Sequence, residues 1–265
     1  MSETAPTPAE GRVLLVEQGQ VATLSFDRPA ARNAMTWAMY EQLAAHCRAL
    51  AASRHVRVVL MRGTGGEAFV AGTDIGQFQA FSSGDDGVAY EHRIDEGIRL
   101  IEQLPMPSIA LVEGWAVGGG LAMASACDFR IATTGARFAV PIARTLGNAL
   151  SAANLARLQA LWGLQRLRRM LLLAEAIGAD EALAAGVVHA VCLPEELDTT
   201  AARLADKLAS LAPVTQAVTK ESLRRLTASA LPDCDDLIRH CYGSADFHEG
   251  VAAFNAKRSP SWKGR

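Results

Sequence analysis

Two stretches of the sequence place glycine and small residues where backbone N–H groups can meet a ligand. One is Ala71 to Asp74, and the other is the triplet Gly118 to Gly120. Each follows a short β-rich run and precedes residues of helical composition. The first N–H groups of a helix have no internal partner, and the helix dipole places partial positive charge beside them. If the two loops face each other, one N–H from each can point at a single oxygen and form an oxyanion hole.

Two alternative roles for the glycine loops stay open on the residues alone. Glycines also permit tight turns and close packing of a helix on a sheet. A strand, a glycine cluster and a helix likewise open a dinucleotide-binding Rossmann unit, which predicts binding of NAD(P). However, residues 114–120 read GxxxGGG and not GxGxxG, and no GxxxxGK[ST] motif occurs. An oxyanion hole predicts chemistry on an ester or thioester, through an enolate or a tetrahedral intermediate.

The elements that must position these loops alternate along the chain. The sequence predicts strands at 13–16, 21–26, 56–61, 108–112 and 129–132, and helices at 36–52, 91–104, 121–127 and 194–211. The first two strands suit a hairpin, Thr36 can cap the first helix, and residues 62–74 are predicted as a loop. This order indicates a largely parallel sheet with helices outside it, followed by a mainly helical region from Asn154 onward.

Composition narrows the class of protein. The 265 residues are half hydrophobic and one-fifth charged, which is typical of a globular protein, and the net charge of -2 offers no basic surface for nucleic acid. Residues 1–11 are polar and are expected to form a disordered tail. The longest apolar stretch, 109–126, is interrupted by Glu113 and four glycines, so we expect no membrane span and a cytoplasmic protein.

The five cysteines are scattered and odd in number, which favours reduced thiols over a disulfide framework. Cys234, His240 and Cys241 come nearest to the spacing of metal ligands, but they lack a fourth partner. The sequence therefore predicts no metal site.

Five ordered motifs make the chain similar to the crotonase superfamily, the enoyl-CoA hydratase/isomerase family, from Val13 to about Trp262. They are LSFDRPAARNAM, EAFVAGTDIGQF, ALVEGWAVGGGLAMASACDFRIAT, ADEALAAGVVHAV and HEGVAAFNAKRSPSW. The resemblance implies an α/β fold, with a ββα-repeat spiral core in residues 12–200 and a helical trimerisation region in 201–265. It also implies a homo-oligomer, either a trimer or a hexamer. No metal or redox cofactor is implied, since coenzyme A enters as part of the substrate.

The same resemblance implies roles for individual residues. The backbone N–H groups of Thr73 and Gly119 would form the oxyanion hole for an acyl-CoA thioester. The residues implied along the coenzyme A and acyl groups are Arg28, Ala30, Ala71, Asp74, Ile75, Phe254 and Lys257, the last two often across a subunit boundary. Asp74 can instead cap the following helix, and Arg28 and Lys257 can be solvated charges.

The sequence departs from the family where the proton-transfer groups are expected. Hydratases of this family use two glutamates to activate water and to move the proton. Here the first position is Ala122, and the second is Ile142 or Ala143, depending on the register. We therefore expect that the protein polarises a bound thioester but does not hydrate a simple enoyl-CoA efficiently.

Ser151 stands where many members carry aspartate or glycine, so it is a candidate for orienting the substrate or acting on it, or simply a small residue that fits. Glu113 is the obvious substitute acid, although its place at a strand end more often faces a neighbouring helix or subunit. Two functions remain open: a lyase or isomerase that stabilises an acyl-CoA enolate, and a non-catalytic acyl-CoA-binding homologue.

Overall fold

The computed structural model describes residues 10–228 and 232–263. Of the tail predicted over residues 1–11, residues 1–9 lie outside this range. The strands are β1 (Arg12–Gln18), β2 (Val21–Asp27), β3 (Val58–Gly63), β4 (Ala68–Val70), β5 (Ser108–Val112), β6 (Trp115–Val117), β7 (Phe129–Thr133), β8 (Arg137–Ala139), β9 (Ile177–Gly178) and β10 (Ala190–Cys192). The helices are α1 (Trp37–Ala52), α2 (Gly84–Glu102), α3 (Gly119–Ala126), α4 (Ile142–Thr145), α5 (Ala152–Trp162), α6 (Leu164–Leu172), α7 (Ala179–Ala184), α8 (Leu197–Ala209), α9 (Pro213–Ala228), α10 (Asp235–Tyr242) and α11 (Ala245–Asn255).

The strands form two sheets, and from β3 to β8 successive strands alternate between them. The larger sheet has the order β1-β2-β3-β5-β7-β10, and its neighbours run parallel except for the β1–β2 hairpin. The smaller sheet has the order β4-β6-β8-β9, in which only β8 and β9 are antiparallel. The units β3-β4-α2, β5-β6-α3 and β7-β8-α4 thus each contribute one strand to each sheet, whereas both strands of the first unit, β1-β2-α1, lie in the larger sheet. The predicted α/β fold with repeated ββα units is confirmed.

Buried apolar runs explain why the central strands form. Every residue of β5, SIALV, is buried, as expected for a strand that is covered on both faces of a parallel sheet. The helix α3 is buried along most of its length, because its small side chains let it pack closely against neighbouring elements. A Cβ atom built on Gly120 would lie 2.0 Å from the carbonyl oxygen of Val70 in β4. The start of α3 therefore rests directly on the backbone of the smaller sheet.

The C-terminal region is helical, as predicted, and α10 folds back on α2. Glycines make this approach possible, since a Cβ atom on Gly87 would lie 2.1 Å from the ring of Tyr242. A Cβ atom on Gly84 would meet the carbonyl oxygen of Arg239 at 2.0 Å. The helix α9, in contrast, exposes apolar side chains, among them Val214 and Val218.

Several predicted elements are confirmed, and others need correction. The hairpin is present, and the Thr36 hydroxyl accepts a hydrogen bond from the Met39 N–H at the start of α1. The predicted loop 62–74 contains the strand β4, and a strand, β6, also precedes the glycine triplet. The helix α2 begins at Gly84, seven residues before its predicted start. After Asp74 the chain forms a short 3₁₀ helix (Ile75–Ala80) and not an α-helix.

No helix in the described part of the chain is long and apolar enough to cross a membrane. Within the same residues, all five cysteines are free, and no three His, Cys, Asp or Glu side chains are grouped as a metal site would require.

Candidate active site

The two glycine loops lie next to each other, although Thr73 and Gly119 are 46 positions apart in the sequence. A Cβ atom built on Gly119 would lie 3.8 Å from Thr73 Oγ1 and 3.1 Å from the hydroxyl oxygen of Tyr40. The structure thus brings together the two residues whose N–H groups were predicted to face one oxygen.

The Thr73 loop is held by a parallel backbone pairing between residues 32–35 and 71–74. The Met35 N–H donates to the carbonyl of residue 72 at 2.8 Å, and the Asp74 N–H donates to the Met35 carbonyl at 2.9 Å. In this pattern the N–H of Thr73 points away from the paired segment. Within the described residues, this N–H has no hydrogen-bond acceptor.

The Gly119 amide is also a donor without an acceptor, again within the part of the chain that is described. Gly119 is the first residue of α3, where N–H groups have no intrahelical partner. Gly118 before it has φ 54° and ψ −118°, a backbone region that essentially only glycine adopts. The second and third glycines of the triplet thus have separate tasks: one presents an amide, and Gly120 allows close packing on β4.

A chain of three hydroxyl groups lies behind the Thr73 amide. Thr73 Oγ1 is 2.8 Å from the hydroxyl oxygen of Tyr40 on α1 and 2.7 Å from that of Tyr90 on α2. All three residues are less than 10 % exposed. Burial raises the pKa of both tyrosines above its usual value, so both hydroxyls stay protonated at neutral pH.

Neither position of the usual hydratase glutamates carries a group that can move a proton. Ala122 is buried in α3, and Ile142 is half-buried at the first position of α4. Ala143, which is the second position in the other register, is exposed. The apolar surface that remains supplies neither an acid nor a base.

Ser151 is buried and acts as the N-cap of α5, because its hydroxyl accepts a hydrogen bond from the Asn154 N–H. The same hydroxyl donates to Asp95 Oδ1 at 2.8 Å, and the Ser151 N–H donates to Glu91 Oε2 at 2.9 Å. Two carboxyl groups of α2 therefore hold this serine in place.

Glu91 is a buried carboxyl group that no motif indicated. Its second oxygen accepts a hydrogen bond from the hydroxyl of Tyr242 on α10 at 2.8 Å. Burial raises the pKa of Glu91 to about 8, and burial also raises the pKa of Asp95. Glu91 links α2, the start of α5 and α10 through its side chain.

The residues predicted along coenzyme A lie partly around the Thr73 loop. Arg28 and Asp74 form an ion pair, and the Asp74 carboxylate also accepts a hydrogen bond from the Gly76 N–H at 2.9 Å. The alternative capping role of Asp74 is therefore present in the structure. Ile75 follows it, half-buried against the core, and Ala71 is half-buried.

Other predicted residues lie at the surface. Ala30 is exposed in the 3₁₀ turn Pro29–Ala31. Phe254, which is 51 % exposed, and Lys257 lie at the end of α11 and just beyond it. Glu113 forms an ion pair at 3.2 Å with Arg62, which lies on the strand β3 and not on a helix.

Sequence reasoning missed Tyr40, Tyr90 and Glu91. Tyr40 is on the buried face of α1 together with Leu43 and Cys47, so its spacing indicated only a core position. The available signal was chemical, because a buried tyrosine hydroxyl or carboxyl group needs a hydrogen-bond partner.

Comparison with known proteins agrees with this architecture. Residues 16–265 match the family model described as enoyl-CoA hydratase/isomerase. The short-chain-enoyl-CoA hydratase of Clostridium acetobutylicum is 32 % identical over 93 % of this chain and 95 % of its own length. The methylmalonyl-CoA decarboxylase of Escherichia coli K12 is 29 % identical over 95 % of this chain and 98 % of its own.

A solved structure of methylmalonyl-CoA decarboxylase in complex with 2-nitronate-propionyl-CoA superposes with a TM-score of 0.88. It is 28 % identical, and the match covers 96 % of this chain and 99 % of that one. The predicted crotonase-like fold and the family assignment are both confirmed. The chain belongs to the enoyl-CoA hydratase/isomerase family.

Proposed function

We propose that this protein is an enzyme that binds an acyl-CoA thioester and stabilises its enolate in an oxyanion hole made by the N–H groups of Thr73 and Gly119. The observation that carries the proposal is that these two residues lie close together and that their amides have no acceptor within the described residues. Thr73 is buried, and a buried N–H without an acceptor is costly unless a ligand satisfies it. The relatives named for enoyl-CoA and methylmalonyl-CoA chemistry support a thioester as that ligand.

We further propose that the enolate forms by loss of carbon dioxide from a 2-carboxyacyl-CoA, rather than by addition of water or removal of a proton. When the bond from C2 to the carboxylate breaks, its electron pair enters the enolate, and carbon dioxide leaves. This step needs an oxyanion hole but no general base, and water then supplies the proton to C2. Ala122, Ile142 and Ala143 support this choice, because hydration would need acid–base groups there.

Direct assay tests the reaction. Methylmalonyl-CoA, malonyl-CoA and crotonyl-CoA are incubated separately with the protein, and the thioesters are analysed by mass spectrometry. We expect loss of carbon dioxide from the first or second compound and no significant addition of water to the third. Hydration of crotonyl-CoA at rates usual for good enzymes would show that the decarboxylase proposal is wrong.

A matched pair of variants tests the Gly119 amide. Gly119→Ala adds a methyl group and keeps the N–H, whereas Gly119→Pro adds the three carbons of the pyrrolidine ring and removes the N–H. Proline is tolerated at the first position of a helix, which is the place of Gly119. We expect the proline variant to lose about 10²–10³ in kcat relative to the alanine variant. Equal activity of the two folded variants would exclude Gly119 as an oxyanion donor.

The lack of acid–base groups at Ala122, Ile142 and Ala143 also supports a second candidate function. A non-catalytic acyl-CoA-binding homologue needs no acid or base, and the Ser151 hydroxyl is already engaged with Asp95 and Asn154. This alternative predicts thermal stabilisation by acyl-CoA compounds with no product after long incubation. Turnover of any thioester in a Gly119-dependent manner would exclude it.

We also propose that the protein forms a homo-oligomer, a trimer or a hexamer. Exposed apolar side chains of the C-terminal region support this, since contiguous apolar patches on a surface commonly mark a contact. They include Leu211, Val214, Val218, Leu223, Leu226 and Leu237. Phe254 and Lys257 are proposed to contact coenzyme A bound to a neighbouring subunit. A monomer mass by light scattering would contradict both statements.

A further inference from the structure

The hydroxyl of Tyr40 occupies the space between the two segments of the candidate oxyanion hole. It is 2.8 Å from Thr73 Oγ1, and a Cβ atom on Gly119 would approach it to 3.1 Å. Tyr40 is 7 % exposed and lies in the buried face of α1. A rigid ring thus reaches from a separate helix to the point where Thr73 and Gly119 come close together.

The hydroxyl chain fixes this oxygen more firmly than one hydrogen bond would. The hydroxyl of Tyr90 also contacts Thr73 Oγ1, at 2.7 Å, so Thr73 is held by two tyrosines from two helices. The Trp37 ring packs edge-on against Tyr90, with ring centroids 5.8 Å apart. The two hydrogen bonds among these three hydroxyl groups use two of their three protons. The third proton can be donated to a further acceptor.

The distance between each N–H donor and the oxyanion matters, because the donors must already be in position when the negative charge develops. Each N–H must lie about 2.7–3.1 Å from the position that the oxyanion will occupy. A displacement of about 1 Å can cost about 10²-fold in rate. A side chain that touches both segments therefore influences transition-state stabilisation even if it never touches the substrate.

We propose that Tyr40 is a positioning residue of the oxyanion hole, whose hydroxyl sets the separation of the Thr73 and Gly119 amides. This inference rests on the proposed function, because it assumes that those two amides bind the thioester oxygen. The hydroxyl chain from Tyr40 through Thr73 to Tyr90 is the device that holds the separation constant. Tyr40 acts through the two loops. It therefore controls how much more tightly the protein binds an enolate than a ground-state thioester.

The test compares the affinities of each variant for two probes, propionyl-CoA and 2-nitronate-propionyl-CoA. The second carries negative charge as an enolate does, so the ratio of the two dissociation constants reports oxyanion-hole quality. For Tyr40→Phe we expect this ratio to fall about tenfold, which is less than the roughly 10²–10³ of a deleted donor. The dissociation constant for propionyl-CoA should change little, and kcat on an active thioester should fall with KM nearly unchanged.

Tyr242→Phe is the matched control. It deletes the same atom from another buried tyrosine, whose hydroxyl bonds Glu91 and Asn148 and not Thr73. We expect Tyr242→Phe to lose stability but to keep the wild-type ratio of affinities. An unchanged ratio in folded Tyr40→Phe, or an equal fall in Tyr242→Phe, would overturn the assignment.

A double variant tests the contact itself. In Gly119→Ala the new methyl group would lie 3.1 Å from the Tyr40 hydroxyl, which is tight for two such groups. Removing that hydroxyl relieves the crowding, so Tyr40→Phe with Gly119→Ala should lose less than the product of the two single losses. Independent losses would overturn the proposed contact. If the wild-type protein shows no preference for the nitronate, the proposed function itself fails, and that outcome is visible without any variant.

Discussion

The guanidinium of Arg28 lies 2.7 Å from the carboxylate of Asp74, so two residues that were predicted along coenzyme A are joined to each other. Both side chains are mostly buried, with 17 % and 28 % of their surfaces exposed. Asp74 directly follows Thr73, and Arg28 precedes the 3₁₀ turn Pro29–Ala31. The ion pair therefore connects the turn after the first hairpin to the oxyanion loop.

Replacing Asp74 with asparagine separates the two roles of this aspartate. Asparagine can still accept the hydrogen bond from the Gly76 N–H, but it no longer neutralises Arg28. We expect the free energy of unfolding to fall by about 1–3 kcal/mol, because the ion pair is mostly buried. The affinity for free coenzyme A should rise and depend more strongly on salt, because the cation is then available to phosphate.

Calorimetric titration at two salt concentrations measures this effect. Asp198→Asn, which removes one of the two ion pairs of Arg62, is the control and should leave the affinity for coenzyme A unchanged. A lower affinity in Asp74→Asn would mean that Asp74 contacts the ligand directly.

The buried carboxyl group of Glu91 makes stability depend on pH. Because its pKa rises from 4.5 to about 8 on folding, the folded protein holds a proton that the unfolded chain releases between these values. Its contribution to stability is therefore complete below pH 4.5 and is lost as the pH rises through about 8. The free energy of unfolding should fall by up to about 1.4 kcal/mol per pH unit in this window.

Glu91→Gln removes the ionisation and keeps hydrogen-bonding capacity toward Ser151 and Tyr242. We expect this variant to match the wild type near about pH 5 and to be several kcal/mol more stable at about pH 9, by urea unfolding, which is roughly the linkage expected for such a shift. Glu96→Gln, at an exposed position of the same helix α2, is the matched control for the loss of a carboxylate. Parallel stability curves for Glu91→Gln and the wild type would contradict the raised pKa.

Two glycine-to-alanine substitutions should have opposite effects on stability. Gly120→Ala places a Cβ atom 2.0 Å from the Val70 carbonyl oxygen, so α3 must move or the variant fails to fold. Gly97→Ala, within α2, meets no atom within 4 Å and should raise the free energy of unfolding by about 1 kcal/mol. Thermal unfolding followed by circular dichroism distinguishes them, and a well-folded Gly120→Ala would show that α3 does not rest on β4 as described.

Ser151→Ala tests whether this serine has more than a structural role. The N-cap of α5 and the hydrogen bond to Asp95 are both lost, at a cost of about 1–3 kcal/mol in unfolding free energy. Ser244→Ala, which removes only the N-cap of α11, should cost about 1 kcal/mol and serves as the reference. We expect turnover per folded molecule to be retained in Ser151→Ala. A loss of kcat out of proportion to the folded fraction would instead assign Ser151 to the reaction.

The sequence was most informative where local chemistry determines local structure. The hairpin and the Thr36 cap depend on residues close together in the chain, and both are present. The early start of α2 was missed because Gly84 and Gly87 resembled loop glycines. Their role is to admit α10, which lies about 150 residues further along the chain.

The resemblance to the crotonase superfamily implied that Thr73 and Gly119 lie close together, whereas the two loops on their own left their facing each other as a condition. The hydroxyl chain through Tyr40 and Tyr90 was not predicted, since hydrogen bonds between residues 33 and 17 positions apart leave no periodic pattern. Glu91 was missed for a related reason. An ionisable residue in an amphipathic helix normally faces water, and only the packing of α10 and Ser151 over α2 buries it.

The pairing of residues 32–35 with 71–74 has a consequence for hydrogen exchange and local motion. The amides of Met35, Ala71 and Asp74 are all bonded across this short ladder, so their exchange with solvent requires the ladder to open. The Thr73 amide is not part of the ladder, so its exchange does not depend on breaking these three hydrogen bonds. The Ala71 and Asp74 amides hold the backbone on both sides of Thr73, so the direction of the Thr73 N–H is set before a ligand binds.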